Sequence, residues 1–196
     1  MFISDKKLVF TLSAPSGCGK TTVSKEILRK NTWLVRAISV NTRKKRPGEV
    51  DGQDYIFVED QVFEQWVQEG RFIEHVEIYN AKKGLLRSSI MQNIANNKNT
   101  LCIVDYRGMC SLKSAFGDDV VSIFLVPPSL GELEKRIKNR KQDSLAEIKL
   151  RLERASHEIS LYKEYDYCIV NDHFGKCVHA VKSIFDAERY RTSRFT

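Results

Sequence analysis

Ala14-Pro15-Ser16-Gly17-Cys18-Gly19-Lys20-Thr21 decides how this chain folds. An apolar run, residues 8–13, precedes it, and a helical pattern, Lys20–Lys30, follows. Strand, loop and helix in that order form a phosphate cradle. Small residues let successive backbone N–H groups curl around an anion at a helix N-terminus, where the helix dipole favours negative charge. Lys20 then reaches the β- and γ-phosphates of a nucleoside triphosphate, and the Thr21 hydroxyl is placed to ligate Mg²⁺. Ala14 stands where such loops usually open with glycine, and alanine serves there if its φ is negative, because the cradle uses backbone amides.

Outward from the loop, three further apolar runs read as strands buried on both faces: residues 101–105, Val120–Val126 and Tyr167–Val170. Helical patterns lie between or after them at 129–140, 145–161 and 173–190. The first of these opens with Ser129 and Glu132 in capping-box spacing, and the second carries Ile148, Leu152, Ala155 and Ile159 on one face. Alternating strand and helix predicts an α/β fold, a parallel sheet flanked by helices. Residues 36–97 break the rhythm with short β-like pieces (36–40, 55–58 and Phe72–Ile78), a basic loop and two helices. They are expected to form an inserted mixed α+β lobe on a core of 1–35 and 98–196, with a short helical lid at about 136–155.

Composition agrees with one domain. The 196 residues are 42% hydrophobic and 29% charged, which excludes a disordered or collagen-like chain. No stretch approaches the roughly 18 apolar residues of a membrane span, and no secretory leader is visible. Five cysteines, at 18, 102, 110, 168 and 177, form no CxxC pair, which fits a reducing cytoplasm rather than a disulfide framework or zinc site. Histidines at 75, 157, 173 and 179 show no metal-ligand or triad spacing. The net charge of +7 points to anionic partners and by itself leaves nucleic acid, membrane surface and small phosphates open.

The second informative stretch is Thr42-Arg43-Lys44-Lys45-Arg46-Pro47-Gly48-Glu49, followed by Gly52, Asp54 and Tyr55. Four consecutive cations in a loop repel one another unless an anion sits nearby. Together with the phosphate loop, Phe72-Ile73-Glu74, Pro127-Pro128-Ser129, the lid arginines and Ile169-Val170-Asn171-Asp172, this pattern resembles the guanylate kinase family over nearly the whole chain.

The resemblance implies transfer of the γ-phosphoryl group of ATP to GMP with Mg²⁺. It places ATP on residues Ala14, Pro15, Ser16, Gly17, Cys18, Gly19, Lys20, Thr21 and Thr22, with Arg136, Arg140 and Asn171. It places the GMP phosphate on Ser39, Arg43, Arg46 and Tyr55, and it makes Glu74 and Asp105 the carboxylates that read guanine. Guanine presents N1–H and a 2-amino group, both donors, to which a carboxylate is a pure acceptor. Lys20, Arg43, Arg140 and Arg151 carry the charge of the reaction in this reading, and Arg151 also touches the acceptor. The substrates are small molecules, with neither nucleic acid nor membrane as partner, and the chain is a monomer or a homodimer. Where the family has Tyr-Gly-Ser/Thr, this chain has Lys83-Gly84-Leu85. Lys83 replaces a tyrosine hydroxyl by a point charge, unless Tyr79 plays the tyrosine's part, and Leu85 offers no hydrogen bond. Two other readings stay open: a related kinase with another acceptor, such as a ribose-bisphosphate kinase, and a guanylate-kinase-like binding module without catalysis.

Overall fold

The computed structural model describes residues 6–78, 81–138 and 145–195. Strand β1 (Val9–Ser13) is buried along its whole length and lies at the centre of a five-stranded sheet. Its neighbours are β7 (Asn99–Ile103) on one side and β8 (Val120–Val126) on the other, with β2 (Leu34–Arg36) and β9 (Tyr167–Val170) at the edges. Every pairing in this sheet is parallel. Such a sheet needs both faces covered, and two apolar clusters cover them. One joins Leu8, Phe10 and Leu12 to α1 (Lys20–Lys30) and α7 (Phe174–Arg189). The other joins Val9, Cys102 and Val104 to Ile90 of α3 (Arg87–Ala95) and to Met109 and Leu112 of α4 (Tyr106–Phe116).

A second, four-stranded sheet carries the order β4 (Ile56–Phe57), β3 (Ser39–Asn41), β6 (Ala81–Leu86) and β5 (Phe72–Ile78). Its outer face packs on α2 (Asp60–Gln68) through Val40, Phe63, Phe72 and Leu86. Its inner face meets the core, because Leu85 and Ile73 enter the cluster built on Val9 and Met109. Finally, α5 (Leu130–Lys138) and α6 (Leu145–Ser160) pack on each other through Leu133, Ile137, Ile148, Leu152 and Ala155.

Several expectations are corrected at element scale. The run expected as one strand at 36–40 is divided: β2 ends at Arg36 in the core sheet, and β3 begins at Ser39 in the lobe sheet. The strand expected at 101–105 runs from Asn99 to Ile103, and Asp105 is instead the N-cap of α4, a helix the sequence reading lacks. Strand β6 is likewise an addition; Lys82-Lys83-Gly84 hides it, since its lysines serve α2 on one face and the cleft on the other.

Candidate active site

The phosphate loop turns sharply between β1 and α1 on two glycines with left-handed backbone, Gly17 at φ 93° and Gly19 at φ 86°. Side chains rarely adopt that conformation, which is why the loop needs glycine at both places. Asn97 is the only non-glycine residue with positive φ among the described residues, so Ala14 meets the condition set for it. The Lys20 ammonium donates to the Ala14 carbonyl at 3.4 Å, folded back over its own loop. Burial pushes the Lys20 pKa down to about 8, with Lys83 adding to the effect and Glu158 and Asp105 opposing it. Burial pushes the Cys18 thiol up to about 11, so this side chain brings no negative charge to the phosphate site.

A cavity of about 360 Å³ opens beside the loop at the carboxyl ends of β1, β7 and β8. Parallel α/β sheets gather their ligand groups at that edge. The loop from Ala14 to Gly17 and from Gly19 to Thr22 forms one wall, and Glu74, Val76 and Lys83 of the lobe sheet form the facing one. Asp105 lies between them at the start of α4, where its carboxylate accepts from the Gly108 N–H at 2.9 Å.

Glu74 reaches the cavity through a β-bulge. Strict alternation would put Phe72 and Glu74 on the same face of β5. The register shifts between them, so Phe72 opposes Leu86 and packs toward α2, while Glu74 opposes Leu85 and faces the core. Bulges beside active sites re-aim side chains in this way. A Cβ on Gly108 would lie 3.3 Å from the Glu74 carboxyl carbon and 2.8 Å from Val104 Cβ, so only glycine lets the carboxyl approach the first turn of α4 this closely. Burial pushes the Glu74 pKa up to about 7; Lys83 pulls it down and Asp105 pushes it further up. Leu85 is fully buried in the apolar cluster and does not line the cavity.

The basic loop forms a separate cluster on the lobe. Arg43 is held by Glu49 in a two-pronged pair, at 2.7 and 2.5 Å, and its guanidinium lies over the Tyr55 ring at 5.2 Å and the Phe57 ring at 5.4 Å. Glu49 also accepts from the Arg46 backbone N–H at 2.9 Å, and the Arg43 guanidinium holds its carboxyl well below the usual carboxylate range. The Arg46 side chain is exposed, and Ser39 is buried at the start of β3 opposite Leu85. None of Ser39, Arg43, Arg46 or Tyr55 lines the cavity beside the loop. A second guanidinium, that of Arg36 at the end of β2, approaches the same Tyr55 ring at 5.6 Å.

The helices after β8 reach the phosphate loop from above. Arg151 donates to the Ser16 hydroxyl at 3.2 Å. Arg136 donates to the Asn171 carbonyl at 3.1 Å and pairs with Glu132 at 3.6 Å. The Asn171 amide donates to the Cys18 carbonyl at 2.7 Å, so this residue braces the loop from the end of β9. Arg140 and Tyr79 lie outside the described residues.

Glu158 and Tyr165 also line the cavity, and neither is among the residues expected from the sequence. Glu158 is seven positions after Arg151, hence on the same face of α6, and that spacing is the one signal that points to it. Burial raises the Glu158 pKa, and the nearby Lys20 ammonium opposes the rise. The Tyr165 hydroxyl is buried without a hydrogen-bond partner in the structure. Among the described residues no cluster of His, Cys, Asp and Glu could hold a metal ion unaided, and no helix is long and apolar enough to cross a membrane.

The guanylate kinase family profile matches residues 6–188. A guanylate kinase of Wolbachia sp. subsp. Brugia malayi is 37% identical over 193 residues, 98% of this chain and 99% of that protein. One from Maricaulis maris is 40% identical over 187 residues, 95% of this chain and 86% of its own length. The crystal structure of guanylate kinase from Anaplasma phagocytophilum superposes with a TM-score of 0.79 at 30% identity, covering 98% of this chain and 91% of that one. With these matches spanning phosphate loop, lobe and core alike, the chain belongs to the guanylate kinase family.

Proposed function

We propose that the protein transfers the γ-phosphoryl group of ATP to GMP, giving ADP and GDP. One observation carries the reading: a loop of backbone amides with Lys20 faces, across one cavity, the two carboxylates Glu74 and Asp105. Amides suit the phosphates of a donor nucleotide, and paired acceptors suit the N1–H and 2-amino donors of guanine. Adenine lacks that donor pair, so a site built on these carboxylates leaves them unpaired with AMP and discriminates strongly.

The acceptor phosphate is assigned to the cluster of Arg43, Arg46 and Tyr55, with Ser39 at its base, and Lys83 stands between that phosphate and the loop. Glu49 holds the Arg43 fork edge, which leaves the guanidinium's remaining N–H groups for the anion. The arginine cluster lies on the lobe and outside the cavity lining, so the transfer geometry requires the lobe sheet to close toward the loop. Chemistry then needs no covalent intermediate: an acceptor phosphate oxygen attacks the γ-phosphorus in line, and the protein supplies positioning and positive charge. Lys20 follows the β- and γ-phosphates, and Arg151, already on the loop at Ser16, caps them together with Arg136 and Arg140. Asn171 is given a bracing role, since its amide is engaged by the Cys18 carbonyl.

Mg²⁺ fits the donors present. Thr21, an exposed residue at the first turn of α1, lines the same cavity and offers its hydroxyl there. A hard cation that keeps most of its water and binds phosphate oxygens needs few protein ligands, in line with the lack of a protein-only cluster among the described residues. When bound, the ion neutralises charge developing on the transferred group.

Phosphoryl transfer assayed across GMP, AMP, UMP and ribose phosphates tests the assignment. GMP is expected to exceed the others in kcat/KM by orders of magnitude. Equal rates with AMP, or a preference for a sugar phosphate, would favour the kinase with another acceptor, and absence of Mg·ATP binding by calorimetry would favour the binding module.

A further inference from the structure

Two guanidiniums approach the Tyr55 ring, and they differ in what else they touch. Arg43 gives its fork to Glu49 at 2.7 and 2.5 Å and a further bond to the Lys44 carbonyl at 3.0 Å. Arg36 sits 5.6 Å from the ring centre, and its Nε is buried without a hydrogen-bond partner in the structure. No carboxylate of the described residues lies within ion-pair distance of it. A half-buried guanidinium that has lost water at one N–H and gained no acceptor is costly, and like charge from Arg43 on the same ring adds to the cost. Both terms vanish once an anion with several acceptor oxygens enters between the two arginines.

The location agrees with that. Arg36 ends β2, a strand of the core sheet, so its side chain leaves the carboxyl edge where ligands of parallel sheets collect. Tyr55 belongs to the lobe, and Arg36 therefore spans from the rigid core to the lobe's anion cluster. Planar guanidinium groups match phosphate oxygens two at a time.

We propose that Arg36 is a further acceptor-phosphate residue, the guanidinium with open donors in a cluster where Arg43 is already engaged by Glu49. The proposal rests on the acceptor-site reading given above, and the test separates the two. Arg36→Met keeps length and apolar stem and removes the fork. It is expected to raise the KM for GMP about tenfold, the scale of one charged hydrogen-bonded contact, with kcat and the KM for ATP changed less than twofold. Guanosine, which has the base and no phosphate, serves as a second probe: its inhibition constant against GMP stays at the wild-type value in Arg36→Met. Arg36→Lys restores the charge without the fork and falls between. An unchanged KM for GMP in Arg36→Met, alongside a raised one in Arg43→Met, overturns the role of Arg36 alone. If both variants leave it unchanged, the acceptor-phosphate site itself is misplaced. A loss of guanosine inhibition equal to the loss of GMP affinity makes Arg36 a structural support of the lobe and also overturns the proposal.

Discussion

Glu74 is a carboxylate that its surroundings make hard to ionise, yet its assigned task needs it charged. Burial beside Asp105 brings its pKa up to about 7, against an ordinary value of 4.5. In the proposed assignment the N1–H and 2-amino donors of guanine would replace the lost water, so that ligand would stabilise the charged form. Two consequences follow in opposite directions of pH. The kcat/KM for GMP, measured at saturating ATP, is expected to rise as pH increases through about 7, when the free carboxyl gives up its proton. Glu74→Gln raises the KM for GMP far more than that for ATP and flattens this limb; equal effects on both substrates would mean that Glu74 does not read the base. Stability runs the other way. Between 4.5 and about 7 the folded protein retains a proton that the unfolded chain has released, so stability falls with rising pH across that window. Glu74→Gln lacks this penalty, and its melting temperature is expected to exceed that of the parent protein above about pH 7, with the gap closing toward 4.5. On the alkaline side the Lys20 ammonium, lowered to about 8 by burial, is lost, and the KM for ATP is expected to rise there if Lys20 holds the phosphates as proposed.

At the scale of elements, the loop that cradles phosphate is only as rigid as its braces. Asn171, at the end of β9, donates to the Cys18 carbonyl at 2.7 Å and lies 3.0 Å from where a Gly19 Cβ would be. Asn171→Ala leaves that carbonyl buried and unpaired, a cost of about 1–3 kcal/mol in stability. The variant is expected to melt earlier and to raise the KM for ATP more than that for GMP; a KM for ATP that stays put would show that the loop holds its shape unaided. Asn171→Asp, which turns an acceptor toward the carbonyl in place of a donor, is expected to do worse than alanine. Nothing in the sequence distinguishes this brace from a turn-forming Asn-Asp pair, because the partner is 153 positions away. What was legible came from local pattern. The strands Val120–Val126 and Phe72–Ile78 and the helix Lys20–Lys30 keep the bounds that their sequence patterns predict. Where local pattern and tertiary demand part company, the reading fails. Helix α4 carries Met109, Leu112 and Phe116 at helical spacing, but its first turn holds Gly108, a poor helix former that reads as a break, and the close approach of Glu74 is what requires that glycine. The bulge in β5 leaves no trace in its composition, and Glu158 on α6 reads as one more solvated helix position until α6 is docked over the cavity.

Across the whole molecule, stability and chemistry are kept at opposite ends of the parallel sheet. The cavity touches β8 at Phe124, while Val120 and Val121 at the strand's other end adjoin a buried ionic clip. There Arg194 pairs with Glu188 of α7 at 3.3 Å and donates to the Asp118 carbonyl at 2.5 Å, and the Tyr167 hydroxyl of β9 donates to Glu188 at 2.6 Å. The Arg194 and Glu188 side chains are 4% and 6% exposed, so both charges are largely withdrawn from bulk water. A stranded buried charge costs about 3–5 kcal/mol, but without Arg194 the Glu188 carboxylate still has the Tyr167 hydroxyl and the Arg191 guanidinium at 3.6 Å, so the cost is smaller here. Arg194→Met is therefore expected to lower unfolding free energy by about 1–3 kcal/mol, and Arg194→Met combined with Glu188→Gln to recover part of it, both read from denaturant titrations. The KM values for ATP and GMP should stay at the parent protein's in each variant, assayed well below its melting point. A shift in either constant would mean that the far end of the sheet is mechanically coupled to the phosphate loop. Unchanged stability in Arg194→Met would mean that the clip's charges are hydrated after all. The closure that the proposed transfer geometry requires would then leave the core intact, because Glu74, Val76 and Lys83 of the lobe sheet face the cavity at the carboxyl edge, while α7 and the Arg194 clip hold the other end.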